Sequence, residues 1–425
     1  MNTLKYESTG PEVELLQLAL TRSGGDPGPI DGIFGGRTLV AVQHFQKGRG
    51  LSPDGIVGEK TWAALTPYLK GYLRHEAVRG DTFFKLAKHY GTTPEAIAAA
   101  NPGIQPKSIP IGQVIVIPLS FPVVPENVNY TYELSELVID GLKARYPFLR
   151  GGNIGKSVMG KRLSYLRIGT GPKEVFYNGA HHANEWITAP LLAKFAEDYA
   201  RAIFEKGDVC NRNAQNLFSR TTLFLAPMID PDGVDLVTGV LNSGRYYDRT
   251  LEISGNYPDI PFPEGWKANI DGTDLNLNYP AGWETAREIK AAKGFSSPAP
   301  RDYVGPSPLS APESRAVADF TLHRDFALTV SFHTQGQVIY WRYGDSIPEN
   351  SKEIGLRFSL ASGYALEDTP YDSSFAGYKD WFISEFDRPG YTVEAGLGAN
   401  PLPLTDLPSI YERTKELMVL GLELA

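Results

Sequence analysis

The chain predicts a multidomain protein: a large α/β domain, its sheet sandwiched between helices, preceded by two small segments. Three observations carry this. At 425 residues the chain is too long for one small core. Residues 1–69 and 73–118 each hold a complete short pattern of turns and elements. The rest, from 125 to 425, alternates apolar strand-like runs with helical periodicity, as layered α/β domains do.

In the first segment Val13, Leu15, Leu16, Leu18 and Leu20 form an apolar helical stripe. Gly28-Pro-Ile-Asp-Gly-Ile-Phe-Gly35 turns the chain, and a helix carrying Thr38, Val42 and Phe45 follows. The turn returns as Ser52-Pro-Asp-Gly-Ile-Val-Gly58 and leads into Thr61-Trp62. Asp-Gly pairs make tight turns because Gly accepts positive φ and Asp bonds nearby backbone. The repeated Asp-Gly-Ile-Phe/Val-Gly-x-x-Thr resembles the small three-helix peptidoglycan-binding domain across residues 1–69.

The second segment reads strand, helix, helix, strand. His75-Glu-Ala-Val-Arg-Gly-Asp-Thr82 is a strand running into a turn, with Asp81 placed to cap a helix. That helix is Phe84 to Tyr90, stopped by Gly91. Thr93 caps a second helix, Pro94 to Ala100, which ends at Asn101-Pro102. Ile111 to Pro118 is the closing strand, and Pro118 to Pro125 a short stiff linker. The order, with Arg79-Gly-Asp-Thr82 and Ala100-Asn-Pro-Gly103, resembles a βααβ LysM domain over 73–118. The two resemblances imply binding to peptidoglycan, through glycans that contain N-acetylglucosamine.

In the large domain Glu174–Tyr177, Thr222–Leu225, Ala327–Ser331 and Tyr391–Val393 read as buried strands. Ala189–Arg201, Pro312–His323 and Ile410–Leu424 read as helices. In such sheets functional residues collect at the carboxyl ends of strands.

Composition excludes several classes. The net charge of −8 disfavours nucleic acid as the main partner. A single cysteine, Cys210, permits no internal disulfide and implies no oxidising compartment. No run suggests a membrane span, and residues 1–8 carry no signal-peptide core. The expectation is a cytoplasmic protein or, after loss of a leader, one associated with the wall. A cytoplasmic location would suit fragment recycling or sporulation.

Four residues carry the chemistry. His182-Ala-Asn-Glu185 sets an imidazole and a carboxylate three positions apart, and His333 follows an apolar run. Two His and one Glu form a zinc set that leaves a coordination position open for water. Glu394, in Tyr391-Thr-Val-Glu-Ala-Gly396, is a spare carboxylate for proton transfer. Together they point to a hydrolase.

These residues sit in an ordered series of motifs. The series is Asn178-Gly-Ala-His-His-Ala-Asn-Glu-Trp186, Pro227-Met-Ile-Asp-Pro-Asp-Gly233, Gly272-Thr-Asp-Leu-Asn-Leu-Asn278, Ser331-Phe-His-Thr334, Tyr371 to Trp381, and Tyr391-Thr-Val-Glu394. From about 130 to 425 it resembles the zinc metallocarboxypeptidase family. The resemblance implies an α/β/α sandwich with a mixed sheet and one zinc ion per chain. It implies His182, rather than His181, as ligand with Glu185 and His333, and Glu394 as general base and acid. It gives Asp274 the part of holding the other nitrogen of His182, against the plainer reading of a turn aspartate. Trp266-Lys-Ala-Asn269 stands where the family carries an arginine, making Lys267 the candidate oxyanion donor. Asn276 and Tyr371 match substrate-binding positions, and Lys379 lies near the side-chain-selecting one.

One departure is informative. Family exopeptidases carry arginine after the asparagine that is Asn276 here, and this chain has Leu277. Leucine cannot fork onto a terminal carboxylate. With the two wall-binding segments, the Asp-Leu-Asn-Leu-Asn variant resembles the γ-D-glutamyl-diamino acid endopeptidases. These cut the γ-D-glutamyl bond to meso-diaminopimelate in peptidoglycan stem peptides, so peptidoglycan and muropeptides become the expected partners. Lys379 would then suit the extra carboxylate of diaminopimelate. The rival readings are a broad-specificity metallocarboxypeptidase, a wall-binding protein without catalysis, and a zinc deacylase of related fold.

Overall fold

The computed structural model describes residues 1–425 and divides into two compact units. The first comprises Met1–Asn129 and Glu133–Arg150, the second Tyr130–Tyr132 and Gly151–Ala425.

The first unit begins with three helices, α1 (Pro11–Arg22), α2 (Gly36–Gly48) and α3 (Glu59–Lys70). The two Asp-Gly turns are held by one device used twice. Buried Gln17 donates to Asp31 at 2.8 Å and to the Ile33 carbonyl at 3.1 Å, while its Oε1 accepts from Gly32 at 3.0 Å. Gln46 repeats this with Asp54 at 3.0 Å, Ile56 at 2.9 Å and Gly55 at 3.0 Å. Gly55 has φ 76°, and a Cβ there would lie 2.3 Å from Leu39 Cδ1. The left-handed conformation favours glycine, and a side chain there would also have to displace Leu39.

The second module pairs β1 (Tyr72–Glu76) with β2 (Val114–Pro118) antiparallel, Tyr72 opposite Pro118. Helices α4 (Phe83–Tyr90) and α5 (Pro94–Ala100) pack on them around Phe83, Ile97, Ile115 and Ile117. Thr93 caps α5, as the sequence predicts. The cap of α4 is Thr82 instead of Asp81, its side chain accepting from the Lys85 N–H at 3.2 Å. Asp81 lies one residue too early. It accepts from the Val78 N–H and pairs with His75, each at 2.8 Å, closing the turn after β1. Asn101 joins α5 to β2, donating to Ile97 O and Val116 O and accepting from the Val116 N–H. Helix α6 (Tyr132–Arg145) follows, with Gly141 at its point of closest approach to α3.

The second unit is built on an eight-stranded mixed sheet. Its strands are β3 (Arg150–Lys156), β4 (Arg162–Gly169), β5 (Lys173–Gly179), β6 (Thr221–Ala226), β7 (Phe326–His333), β8 (Val338–Tyr340), β9 (Ala365–Glu367) and β10 (Gly390–Glu394). Their spatial order is β9-β8-β10-β7-β5-β6-β4-β3. The central four, β10, β7, β5 and β6, run parallel. They are the four strands legible in the sequence, because strands covered on both faces are apolar throughout. Helices Thr188–Glu205, Pro312–Leu322 and Leu407–Leu424 occupy the three predicted positions. An aromatic core of Phe176, Phe224, Phe326, Tyr378 and Phe382 lies against the sheet. Tyr177 donates to the Met418 carbonyl at 2.6 Å, where Gly421 leaves room for its ring.

Candidate metal centre

Three neighbouring parallel strands end at the site. Register places Glu394 of β10 opposite His333 of β7, and Gly179 of β5 opposite Phe332 of β7. After β5 the chain bends at Ala180, which has φ 47°. Its N–H donates to Thr188 Oγ1 at 2.8 Å, and its carbonyl accepts from the Asp230 N–H at 2.8 Å. A single 3-10 turn, Ala183–Glu185, then folds Glu185 back onto His182. Gly233 permits this turn to sit close, since a Cβ would be 2.7 Å from that of Ala183 and 2.9 Å from the Ala268 carbonyl.

The result is a tight triangle. His182 Nδ1 lies 3.0 Å from Glu185 Oε2, His333 Nδ1 lies 2.9 Å from that oxygen, and the two ring nitrogens are 3.0 Å apart. All three residues are buried. Two imidazole nitrogens and a carboxylate oxygen turned toward one point make a cation site. Edges near 3 Å suit zinc, whose nitrogen and oxygen ligands bind at about 2.0–2.2 Å. Two further atoms are buried without a hydrogen bond, Glu185 Oε1 and His333 Nε2.

Outside the triangle, Asp274 Oδ1 is 3.0 Å from His182 Nε2, so His182 is held at both ring nitrogens. Asp274 Oδ2 also accepts from the Asp302 N–H at 3.2 Å. Burial opposes its ionisation, but His182 and Lys267 hold it well below the usual carboxylate range. Glu185 is likewise held low, His182 and Lys267 outweighing its burial. Burial moves His333 downward, toward the neutral form a metal ligand needs. His181 stands outside the triangle, its Nε2 3.1 Å from the Tyr279 hydroxyl.

Glu394 is half-buried at the end of β10. Burial, then repulsion from Glu185, pushes its carboxyl up to about 8. Lys267 Nζ is 3.3 Å from Glu185 Oε1, and its backbone carbonyl accepts from the Ala183 N–H. A cavity of about 200 Å³ opens beside these groups, lined by His182, Lys267, Asn276, Leu277, Lys379 and Glu394 among others. A second, of about 540 Å³, shares Lys267, Arg301, Tyr340 and Glu394 with it and continues past Asn184, Glu264 and Asn400.

The substrate-side candidates occupy distinct settings. Asn276 accepts from the Tyr378 N–H at 2.9 Å. Leu277 packs with Trp283, Ala286, Val304 and Ala376. Lys379 is buried, ion-paired with Asp380 and donating to the Arg342 carbonyl at 2.7 Å, so it is no bare cation. Tyr371 is 68% exposed with its ring against Phe375, while Thr369 and Ser373 of the same loop reach the smaller cavity. Sequence reasoning missed Lys290, Arg301 and Asp302 on the cavity wall. They lie in a stretch that no motif marks.

Fold and site define a metallopeptidase of the carboxypeptidase type. The zinc carboxypeptidase pattern matches residues 136–416, the putative peptidoglycan-binding domain 9–65 and the LysM domain 75–118. The chain belongs to the zinc carboxypeptidase family, whose cofactor, one zinc ion, fits the His182, Glu185 and His333 donor set. It is 42% identical to gamma-D-glutamyl-L-diamino acid endopeptidase 1 of Lysinibacillus sphaericus, over 70% of this chain and 73% of that protein. It is 36% identical to the uncharacterized protein YqgT of Bacillus subtilis (strain 168), over 64% and 72%. Bovine thrombin-activatable fibrinolysis inhibitor, solved with tick carboxypeptidase inhibitor, shares the fold at a TM-score of 0.54 and 20% identity, over 69% of this chain and 96% of that one. With its two N-terminal modules, the chain is a peptidoglycan-binding zinc peptidase. No helix is long and apolar enough to cross a membrane.

Proposed function

We propose that this chain cuts the γ-D-glutamyl bond to meso-diaminopimelate in peptidoglycan stem peptides, degrading cell wall or its muropeptides. The 42% identity with the L. sphaericus endopeptidase carries the reading. Leu277 supports it, because it lies in an apolar cluster and offers no guanidinium to a terminal carboxylate.

His182, Glu185 and His333 would hold the ion through the atoms that face one another. Zinc bound there supplies Lewis acidity to the scissile carbonyl and to a water molecule. Glu394 takes a proton from the attacking water and returns it to the leaving nitrogen. Lys267 stands beside Glu185, where its ammonium can meet negative charge growing on the carbonyl oxygen. Asp274 keeps His182 in one tautomer and orientation. The smaller cavity takes the leaving diamino acid, with Asn276 as a polar contact and the Lys379–Asp380 pair on its wall. Tyr371 reaches that cavity only by turning inward from its exposed loop.

Residues 1–69 and 73–118 hold the polymer through glycans containing N-acetylglucosamine and place the peptidase at the wall. Tethering raises the local concentration of stem peptides without adding contacts at the site. The test is kcat/KM for L-Ala-γ-D-Glu-meso-diaminopimelate against a blocked dipeptide ending in Phe or Lys, with products identified by mass spectrometry. Cleavage at the γ-D-glutamyl bond should dominate. Faster hydrolysis of the dipeptide would make the chain an ordinary carboxypeptidase.

A further inference from the structure

Arg301 is a charged group at the site that the mechanism above does not use. It lies where the two cavities meet, beside Lys267 and Glu394. The backbone on both sides of it is secured to the site. The Pro300 carbonyl accepts from the N–H groups of Lys267 at 2.7 Å and Ala268 at 2.9 Å. The Asp302 N–H donates to Asp274, and the Tyr303 carbonyl accepts from the Asp274 N–H at 2.8 Å. Asp302 holds φ 65°, a left-handed conformation costly for a residue with a side chain.

The side chain, 45% exposed, is anchored through one nitrogen. Arg301 Nε donates to Asp302 Oδ2 at 2.8 Å, and the other carboxylate oxygen of Asp302 binds Lys290. Both Nη groups are left without a protein partner. A guanidinium held at Nε by Asp302 on the wall of both cavities keeps its outer nitrogens available as a fork for a carboxylate. The other cations nearby are engaged: Lys267 with Glu185, Lys290 with Asp302 and Lys379 with Asp380. In the larger cavity Lys267 and Arg301 are the only basic side chains, and they face Asp259 and Glu264.

We propose that the free Nη groups of Arg301 bind the α-carboxylate of the γ-linked D-glutamyl residue, on the acyl side of the scissile bond. The inference rests on the function proposed above. Its chemistry is specific to a γ-linkage. Such a residue carries its free carboxylate three carbons beyond the scissile carbonyl, where an ordinary α-peptide has no charge. Arg301 lines both cavities together with Lys267 and Glu394, on the wall that this carboxylate would meet. The contact would therefore distinguish γ-D-glutamyl bonds from α-peptide bonds.

The experiment compares zinc-loaded wild type, Arg301→Gln and Arg301→Lys on three substrates. These are L-Ala-γ-D-Glu-meso-diaminopimelate, the same peptide with the D-glutamyl α-carboxylate amidated, and the same peptide with the diaminopimelate carboxylates amidated. Wild type should prefer the free D-glutamyl acid to its amide by about 100-fold in kcat/KM, the scale of a charge-assisted bidentate contact. In R301Q that preference should collapse to a few-fold, with R301K between. Calorimetry with the product L-Ala-D-Glu supplies a readout without turnover, and R301Q should weaken its Kd at least tenfold relative to L-Ala-D-isoglutamine. If wild type cuts acid and amide equally, Arg301 does not read this carboxylate, although the proposed function stands. If R301Q loses the same factor on both, or its loss tracks the diaminopimelate carboxylates, the assignment is overturned. If wild type cuts none of the three, the function itself falls, and this inference with it.

Discussion

Glu394 and His333 stand side by side on neighbouring strands, yet their replacement should separate two kinds of failure. His333 supplies one of three convergent donor atoms, and a two-ligand remnant binds zinc poorly. His333→Ala should lose its zinc on dialysis, as metal analysis would show. Glu394 belongs to no such triangle. Glu394→Gln should keep metal and fold while kcat falls by about 10²–10⁴, the usual contribution of general acid–base catalysis. Full zinc in the first variant, or near-normal kcat in the second, would reassign these residues. The residue types and their order were legible in the sequence because zinc chemistry restricts the donors so narrowly. Lys379 shows the limit: as a sequence letter it is a cation, but in the structure Asp380 has already claimed its charge.

Among the elements, the helix Pro312–Leu322 and the turn before the helix Pro231–Val237 share a buried acidic group behind the metal turn. Glu313, in the first turn of its helix, accepts from the Val158 N–H at 2.9 Å and from Asn269 at 3.0 Å. Asp230 and Asp232 lie close enough to be felt electrostatically, and Lys161 pairs with Asp232 and Asp235. Burial pushes the Glu313 carboxyl up to about 7. The folded protein thus holds this proton more tightly than the unfolded chain, whose Glu pKa is about 4.3. Stability from this group is complete below the unfolded value and is lost as pH rises through about 7. Glu313→Gln removes that dependence. Between pH 5 and 8, wild type should lose about 2–4 kcal/mol relative to the variant, read as a relative fall in Tm. Parallel pH profiles for the two proteins would remove Glu313 as the cause. Nothing in the sequence separates Glu313 from any other acid at a helix start, because its burial depends on segments over 40 and 150 residues away.

For the whole molecule, the two compact units suggest separable work. The first contains both modules that match wall-binding families, and it also includes α6. A Cβ at Gly141 of α6 would sit 2.1 Å from the Lys70 carbonyl, so α6 is fitted to the end of α3. Arg145 of α6 donates to the carbonyls of Gly71 and Leu119 at 2.9 and 2.8 Å. A fragment for binding studies should therefore run to residue 150 instead of stopping at the linker. Residues 1–150 should sediment with insoluble peptidoglycan and show no peptidase activity. A folded fragment that stays in the supernatant would reduce the modules to spacers.

The sequence by itself determined the three-part order, the four central strands, the residue types of the candidate metal site and the departure at Leu277. Each is a local pattern: an Asp-Gly turn, a fully apolar run, a donor set, a single changed letter in a motif. Tertiary structure decided which groups meet and which remain available. Strands β3, β4 and β9 escaped detection because strands toward or at the sheet edges lack a continuous apolar run, and β8 because its apolar run, Val338–Tyr340, is only three residues long. Thr82 displaced Asp81 as a cap because His75 and the Val78 N–H had already engaged that aspartate. Arg301 was one arginine among many until hydrogen bonds from Lys267, Ala268 and Asp274 set its loop against the site. Charge is a property of the letter, but a free charge is a property of the neighbours, and only folding chooses those.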